Sequence, residues 1–189
     1  MRACGIWAVC LLFLLAGCAP NAREPDSIAL VRVLGVDGSG PVTVSAVCGG
    51  TDQRDPARGS AVGADFASAR QALPWVGEEE LALTHLSYIV VGEGAELREV
   101  LEGVLDDGEL ACTATLWQTE EAAALLAPCK DPASRLTLLE EQGVKAPTVS
   151  EALAALEEEG RVELPRLMEE EGILRLVEEA LWVWEEGER

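Results

Sequence analysis

Ile28-Ala-Leu-Val-Arg-Val-Leu-Gly-Val36 is a nearly continuous apolar run, with Asp37-Gly-Ser-Gly40 after it and then Val42-Thr-Val-Ser-Ala-Val-Cys48. The first run is short and rich in Val and Leu, the pattern of a strand covered on both faces. Gly and Asp in the next four residues supply the backbone angles of a hairpin turn. The second run alternates, with Val42, Val44, Ala46 and Cys48 on one face and Thr43, Ser45 and Val47 on the other, so it reads as the returning strand.

Working outward from this hairpin, Gly49 to Gly59 reads as a surface loop and the Ala-rich Ser60 to Leu73 as a helix stopped by Pro74. Leu81 to Val91 reads as one strand ending at Gly92-Glu93-Gly94. Leu97, Val100, Leu101, Val104 and Leu105 recur at helical spacing, which places all five on one helix face. Asp106-Asp107-Gly108 ends that helix, and Leu110 to Trp117 alternates as a strand. Thr119, with Glu120 and Glu121 in the first turn, opens a further helix, and Asp131-Pro132 opens the next with an N-cap and a proline at the first helical position. Thr148-Val-Ser-Glu151 is a capping box for a helix running to about Glu159. Val162 to Leu164 and Ile173 to Trp184 are further strand material, interrupted by the acidic Glu169 to Glu171. Strands and helices interleave while the first two strands form a hairpin. The expected fold class is therefore α+β: a single domain with a mixed β-sheet packed against several α-helices.

Composition narrows the function. The chain has 189 residues, 14 Lys and Arg against 34 Asp and Glu, and a formal charge of -20. Nucleic-acid binding needs a basic stripe that displaces counterions, and adsorption to anionic lipid needs a polybasic patch. Both are excluded. At 49% hydrophobic residues the chain is too apolar for an acidic disordered tail and should bury a core.

Residues 1–17 read as a lipoprotein signal peptide: Arg2 is a minimal positive region, Ile6 to Leu15 a short apolar segment, and Leu15-Ala16-Gly17-Cys18 a small-small-Cys cleavage site. The apolar segment is shorter than the about 20 residues a spanning helix needs. Cys18 is the expected lipidation site, carrying diacylglycerol on its sulfur and becoming the mature N-terminus. Residues 18–27 form a tether stiffened by Pro20 and Pro25, and residues 28–189 form the folded domain.

Cys48, Cys112 and Cys129 remain after processing. They form no Cys-x-x-Cys pair, at most one disulfide could join them, and buried thiols are the simpler reading. His85, the one histidine, has no nucleophile or orienting carboxylate beside it in sequence and reads as a half-buried structural residue. Gly35 to Gly40 lacks the Gly-Lys-Ser/Thr ending of a phosphate loop and is followed by a strand, so it is a turn. The acidic runs Glu78–Glu80, Glu157–Glu159 and Glu169–Glu171 read as solvated helix ends. Trp182 and Trp184 share one face of the last strand and either fold into the sheet, the favoured reading, or dock on a partner.

The order of these motifs resembles the Ger(x)C lipoproteins, the C subunits of spore germinant receptors, and specifically their N-terminal domain. The matching stretches are the lipobox with Arg23-Glu24, Ala29-Leu30-Val31-Arg32-Val33-Leu34-Gly35-Val36-Asp37, and Thr84-His85-Leu86-Ser87-Tyr88-Ile89-Val90-Val91-Gly92-Glu93. Leu101 to Asp107, Glu121-Ala122-Ala123-Ala124-Leu125-Leu126, Leu164-Pro165 and Ala180-Leu181-Trp182-Val183-Trp184 follow in the same order. The resemblance implies a non-enzymatic role in spore germination. It implies a lipoprotein held on the outer face of the spore inner membrane and associated with integral membrane receptor subunits. It supplies no catalytic, cofactor-binding or metal-binding residue. The alternative expectation is a generic cell-envelope lipoprotein or small solute-binding module. An envelope hydrolase would need a nucleophile with its base, and the sequence offers no such pair.

Overall fold

The first apolar run becomes β1 (Ile28–Asp37) and the alternating run β2 (Val42–Cys48), paired antiparallel through the turn in which Gly38 takes a φ of 81°. The computed structural model describes residues 28–49, 56–73, 75–76 and 79–185. Residues 1–27, with the signal peptide, Cys18 and the tether, lie outside them, as do residues 50–55 of the loop expected from Gly49 to Gly59, Pro74 as a helix stop, and Glu78. The remaining elements are β3 (Arg58–Gly63), α1 (Phe66–Gln71), β4 (Trp75–Val76), β5 (Glu79–Ala82), β6 (Tyr88–Gly92), α2 (Leu97–Asp106), β7 (Thr115–Thr119), α3 (Ala122–Leu126), α4 (Pro132–Glu141), α5 (Val149–Glu159), β8 (Arg161–Glu170) and β9 (Ile173–Glu185).

The strands form a mixed sheet in the order β3-β2-β1-β6-β7-β8-β9, with β4 and β5 attached beside the start of β1. β1, β6, β7 and β8 run parallel, while both ends of the sheet are antiparallel hairpins. The α+β expectation holds. Parallel neighbours need crossovers, and the crossovers bring helices over both faces. On one face α1, α2 and α5 bring Phe66, Leu97, Leu101 and Leu156 onto Leu34, Ile89, Leu116 and Leu164. On the other, α3 and α4 bring Leu125, Leu126, Leu136 and Leu139 onto Val33, Val90 and Trp117. This is why β1 is apolar on both sides: Val33, Leu34 and Val36 are all sealed from solvent.

Four expectations are corrected. Ser60 to Leu73 is not one helix: Arg58–Gly63 zips onto the free edge of β2, and the helix is confined to Phe66–Gln71 by an Asp65 capping box. Ladder bonds to an otherwise open strand outweigh the helix propensity of alanine. Leu81 to Val91 is two strands, with Glu80–Ala82 beside Ile28–Leu30 and Tyr88–Val91 beside Val33–Val36. The register advances by three residues between them, and the excess forms a turn at Thr84-His85. Leu110 to Trp117 narrows to Thr115–Thr119, because the Cys112 and Ala114 carbonyls turn aside to accept the first amides of α5 from Ser150 and Val149. Thr119 ends β7 instead of opening a helix, and α3 starts at Ala122. On α2, Val100, Leu101 and Val104 are buried with Leu97, while Leu105 stays 43% exposed.

The caps at Asp131 and Thr148 stand as read, Asp131 accepting from the Ser134 amide and Thr148 from the Glu151 amide. Hydrogen bonds from Ser68 hold the Asp65 carboxyl below its ordinary value of 3.8, and those from Thr148 hold Glu151 below 4.5. A depressed folded-state pKa gives stability that is present above the ordinary value and lost as pH falls through the depressed one. Acid titration followed by far-ultraviolet circular dichroism should therefore show helix loss beginning below about pH 4. An Asp65→Asn, Glu151→Gln double variant should show a smaller loss over the same range.

Candidate functional site

In open sheets with parallel strands, sites form outside the carboxyl ends of the strands. Here β1, β6 and β7 end together at Asp37, Gly92 and Thr119. The Asp37 carboxylate accepts from the Ala122 amide at 2.7 Å through Oδ1 and from the Ala123 amide at 2.8 Å through Oδ2. These are first-turn amides of α3, which have no partner within their own helix, and a carboxylate there also meets the positive end of the helix dipole. Glu121, the residue at the N-cap, makes no side-chain cap bond. The cap is supplied across the sheet by a residue 85 positions earlier.

Two glycines make the room. A Cβ on Gly92 would lie 2.1 Å from Asp37 Oδ1, and a Cβ on Gly35 would lie 2.9 Å from Leu126 Cδ1 and 3.2 Å from Ala122 Cβ. Gly35 and Asp37 are two apart on a strand and so share a face, the one that α3 covers. The run Gly35-Val36-Asp37 is thus a helix-docking device, with Val36 buried on the opposite face. The sequence placed Asp37 only in a turn. The signal for its larger role was Gly35, since glycine inside an apolar strand marks close approach of another backbone.

Beside this knot the Glu93 amide donates to Thr119 O at 2.9 Å, and the Glu93 carboxylate meets Arg166 Nη2 at 2.7 Å. Arg166 sits opposite Gln118, the one register pair between β7 and β8. Gln118 is fully buried. Its Nε2 donates to Thr119 O at 2.7 Å, and its Oε1 has no hydrogen-bond partner among the described residues. Past Arg166, β8 runs on beyond the end of β7 at Thr119, and a groove of about 610 Å³ opens between α3 and β8. Glu120, Glu121 and Glu169 line it together with Leu125, Leu167, Met168 and Val177.

A second polar cluster lies at the opposite, amino ends of the strands. Tyr88 Oη and Thr137 Oγ1 share a hydrogen bond at 2.6 Å, while Thr137 Oγ1 also lies 3.0 Å from Ala133 O and Tyr88 Oη 3.4 Å from Glu140 Oε2. Thr115 Oγ1 donates to Glu140 Oε1 at 2.8 Å and accepts from Trp117 Nε1 at 3.1 Å. Burial, with Glu140 adding to it, pushes the Tyr88 hydroxyl above its ordinary value. The cluster ties α4 to the sheet with the partners of each hydroxyl satisfied. Nothing in the sequence linked these residues, because they come from three separate elements.

His85 is exposed at the turn between β5 and β6, which corrects the expectation of a half-buried residue in a strand. Cys48 and Cys129 are buried thiols, whereas Cys112 is exposed. Burial first, and then the Glu169 charge, pushes the Cys129 thiol up to about 11, against a smaller opposing effect of Arg58. At neutral pH it is protonated and a poor nucleophile. Cys129 lines a smaller cavity of about 440 Å³ with Lys130, Arg135 and Gly172. Glu157–Glu159 close α5 on its exposed side, and Glu169–Glu171 belong to the β8–β9 hairpin, a sheet feature in place of the expected helix end. No family model, curated protein or solved structure matches the chain.

Proposed function

We propose that the protein is a lipid-anchored, non-enzymatic interaction module resembling the C subunit of a spore germinant receptor, tethered through Cys18 on the outer face of the spore inner membrane. One observation carries the reading. The separate segments on which the resemblance rests, Gly35-Val36-Asp37, Gly92-Glu93 and the Ala/Leu run from Ala122 to Leu126, meet in one knot at the carboxyl ends of the parallel strands. That these separated segments form one structural unit supports reading them as a set. In that unit the acidic groups hold the fold: both oxygens of Asp37 engage α3, and Glu93 engages Arg166. Such a scaffold suits a binding role with integral membrane receptor subunits.

Among the described residues no helix is long and apolar enough to cross a membrane. A domain of charge -20 has no electrostatic hold on anionic lipid, so retention depends on the acyl chains. Cys18→Ala should therefore leave the protein unprocessed or released into the soluble fraction. Wild type should stay with membranes through a high-salt wash and take up labelled fatty acid. Retention of processed Cys18→Ala protein after the same wash would contradict the anchor. The second reading, a small solute-binding module, draws on the 610 Å³ groove, whose size falls within the range of ligand pockets.

A further inference from the structure

We infer that the groove between α3 and β8 docks an extended basic segment of a partner protein, one that alternates Lys or Arg with apolar residues and lies along the open edge of β8. Three observations carry this, and none depends on the lipid anchor. First, β8 pairs with β7 at Arg166 alone, whereas Leu167 to Glu170 pair with β9 on one side and with no strand on the other among the described residues. An open strand edge beside a groove accepts an added strand through backbone hydrogen bonds, while alternate side chains supply specificity. Second, the base is apolar and adaptable. Leu125 and Leu167 are buried at it, and Met168 is 46% exposed beside them, a side chain that repacks around different partners. Third, Glu120 and Glu121 stand exposed on the rim, with Glu169, whose carboxylate accepts the Gly172 amide, near them, while Arg166, the one cation lining the groove among the described residues, is engaged by Glu93.

The period of two in an extended strand presents apolar side chains to Leu125 and Leu167 and basic ones to the rim. The overall charge of -20 draws such a segment in and repels an acidic one. A second copy of this chain brings the same negative field and is disfavoured on that ground. The chain's own flanking segments fit no better. Neither is basic: residues 18–27 set Arg23 against Glu24 and Asp26, and Glu186-Gly-Glu-Arg189 after β9 carries two carboxylates against one arginine.

The test uses the purified full chain and a short fluorescein-labelled peptide alternating lysine and valine, with binding read by fluorescence anisotropy. Glu120→Lys with Glu121→Lys should weaken binding by about ten-fold, the equivalent of two favourable charge contacts turned repulsive. Glu157→Lys with Glu158→Lys, an equal charge change on the exposed end of α5, should leave the affinity within about two-fold. Met168→Asp should weaken binding, and a peptide alternating lysine and serine should bind poorly. All substituted positions are exposed, and thermal melts of the variants would establish that each is folded. Equal losses from the two charge reversals, equal binding of the serine peptide, or no binding of the valine peptide would overturn the assignment. So would a dimer in sedimentation that the groove variants abolish, because it would give the groove to a second copy.

Discussion

Asp37→Ala is expected to cost about 3–5 kcal/mol of folding stability, since it removes two charge-assisted hydrogen bonds, each worth about 1.5–3 kcal/mol. The loss is large because the Ala122 and Ala123 amides are first-turn donors of a five-residue helix that no side chain of its own caps. Ala122 is fully buried, so water cannot easily replace the carboxylate. Gly92→Ala should cost a comparable amount for a different reason: its Cβ would sit 2.1 Å from Asp37 Oδ1 and force the carboxylate off the amides. The two effects act on one contact and should not add. In an Asp37→Ala background, Gly92→Ala should cost no more than about 1 kcal/mol, within the range of ordinary substitutions. Urea denaturation of the two single variants and the double variant measures this. Additive losses would show that Gly92 is needed for some purpose other than seating Asp37.

The second large effect is expected from removing Leu181 to Arg189. The deletion takes away the β9 residues that pair with Arg161 to Pro165, and with them Trp184, which packs on the core between the sheet and α1, α2 and α5. Losing a fully buried large aromatic costs about 3–5 kcal/mol, and the half-buried Trp184 contributes a part of that. The exposed ladder on β8, and the reduced cover over the buried Val162 and Leu164, add to it. Total stability of such domains is about 5–15 kcal/mol, so the truncated protein should be molten or rapidly proteolysed. If the tail served mainly to dock on a partner, the truncated domain would keep its melting temperature and lose co-purification instead. Both quantities are to be read from the same deletion.

These two experiments probe the two ends of what the sequence made legible. The β1–β2 hairpin, the amphipathic α2 and the caps at Asp131 and Thr148 could be read because each depends on neighbours in sequence: apolar period, turn residues, or a side chain bonding three positions on. What could not be read depends on partners far away. β3 is a strand because β2 offers an edge, and Ala in Gly59-Ser-Ala-Val-Gly63 gives no hint of that. The break at Thr84-His85 exists because two stretches of β1 must each be paired and the register between them is offset. Asp37 looked like a turn residue, since nothing local shows α3 arriving over Gly35. The groove arises where β8 runs on past the end of β7 at Thr119, which no periodicity records. Its acidic lining was visible as Glu120, Glu121 and Glu169, yet only the fold brings Glu169 to the first two.

The central claim is that this acidic domain works by holding other membrane proteins while anchored at Cys18. Affinity isolation of the lipidated protein from spore membranes, with mass spectrometry of what accompanies it, tests that claim most directly. The account predicts recovery of multi-spanning membrane subunits in amounts comparable with the tagged protein, reduced when Glu120 and Glu121 are reversed to lysine. Recovery of the lipidated protein alone, from membranes solubilised gently enough to keep other complexes intact, would contradict it.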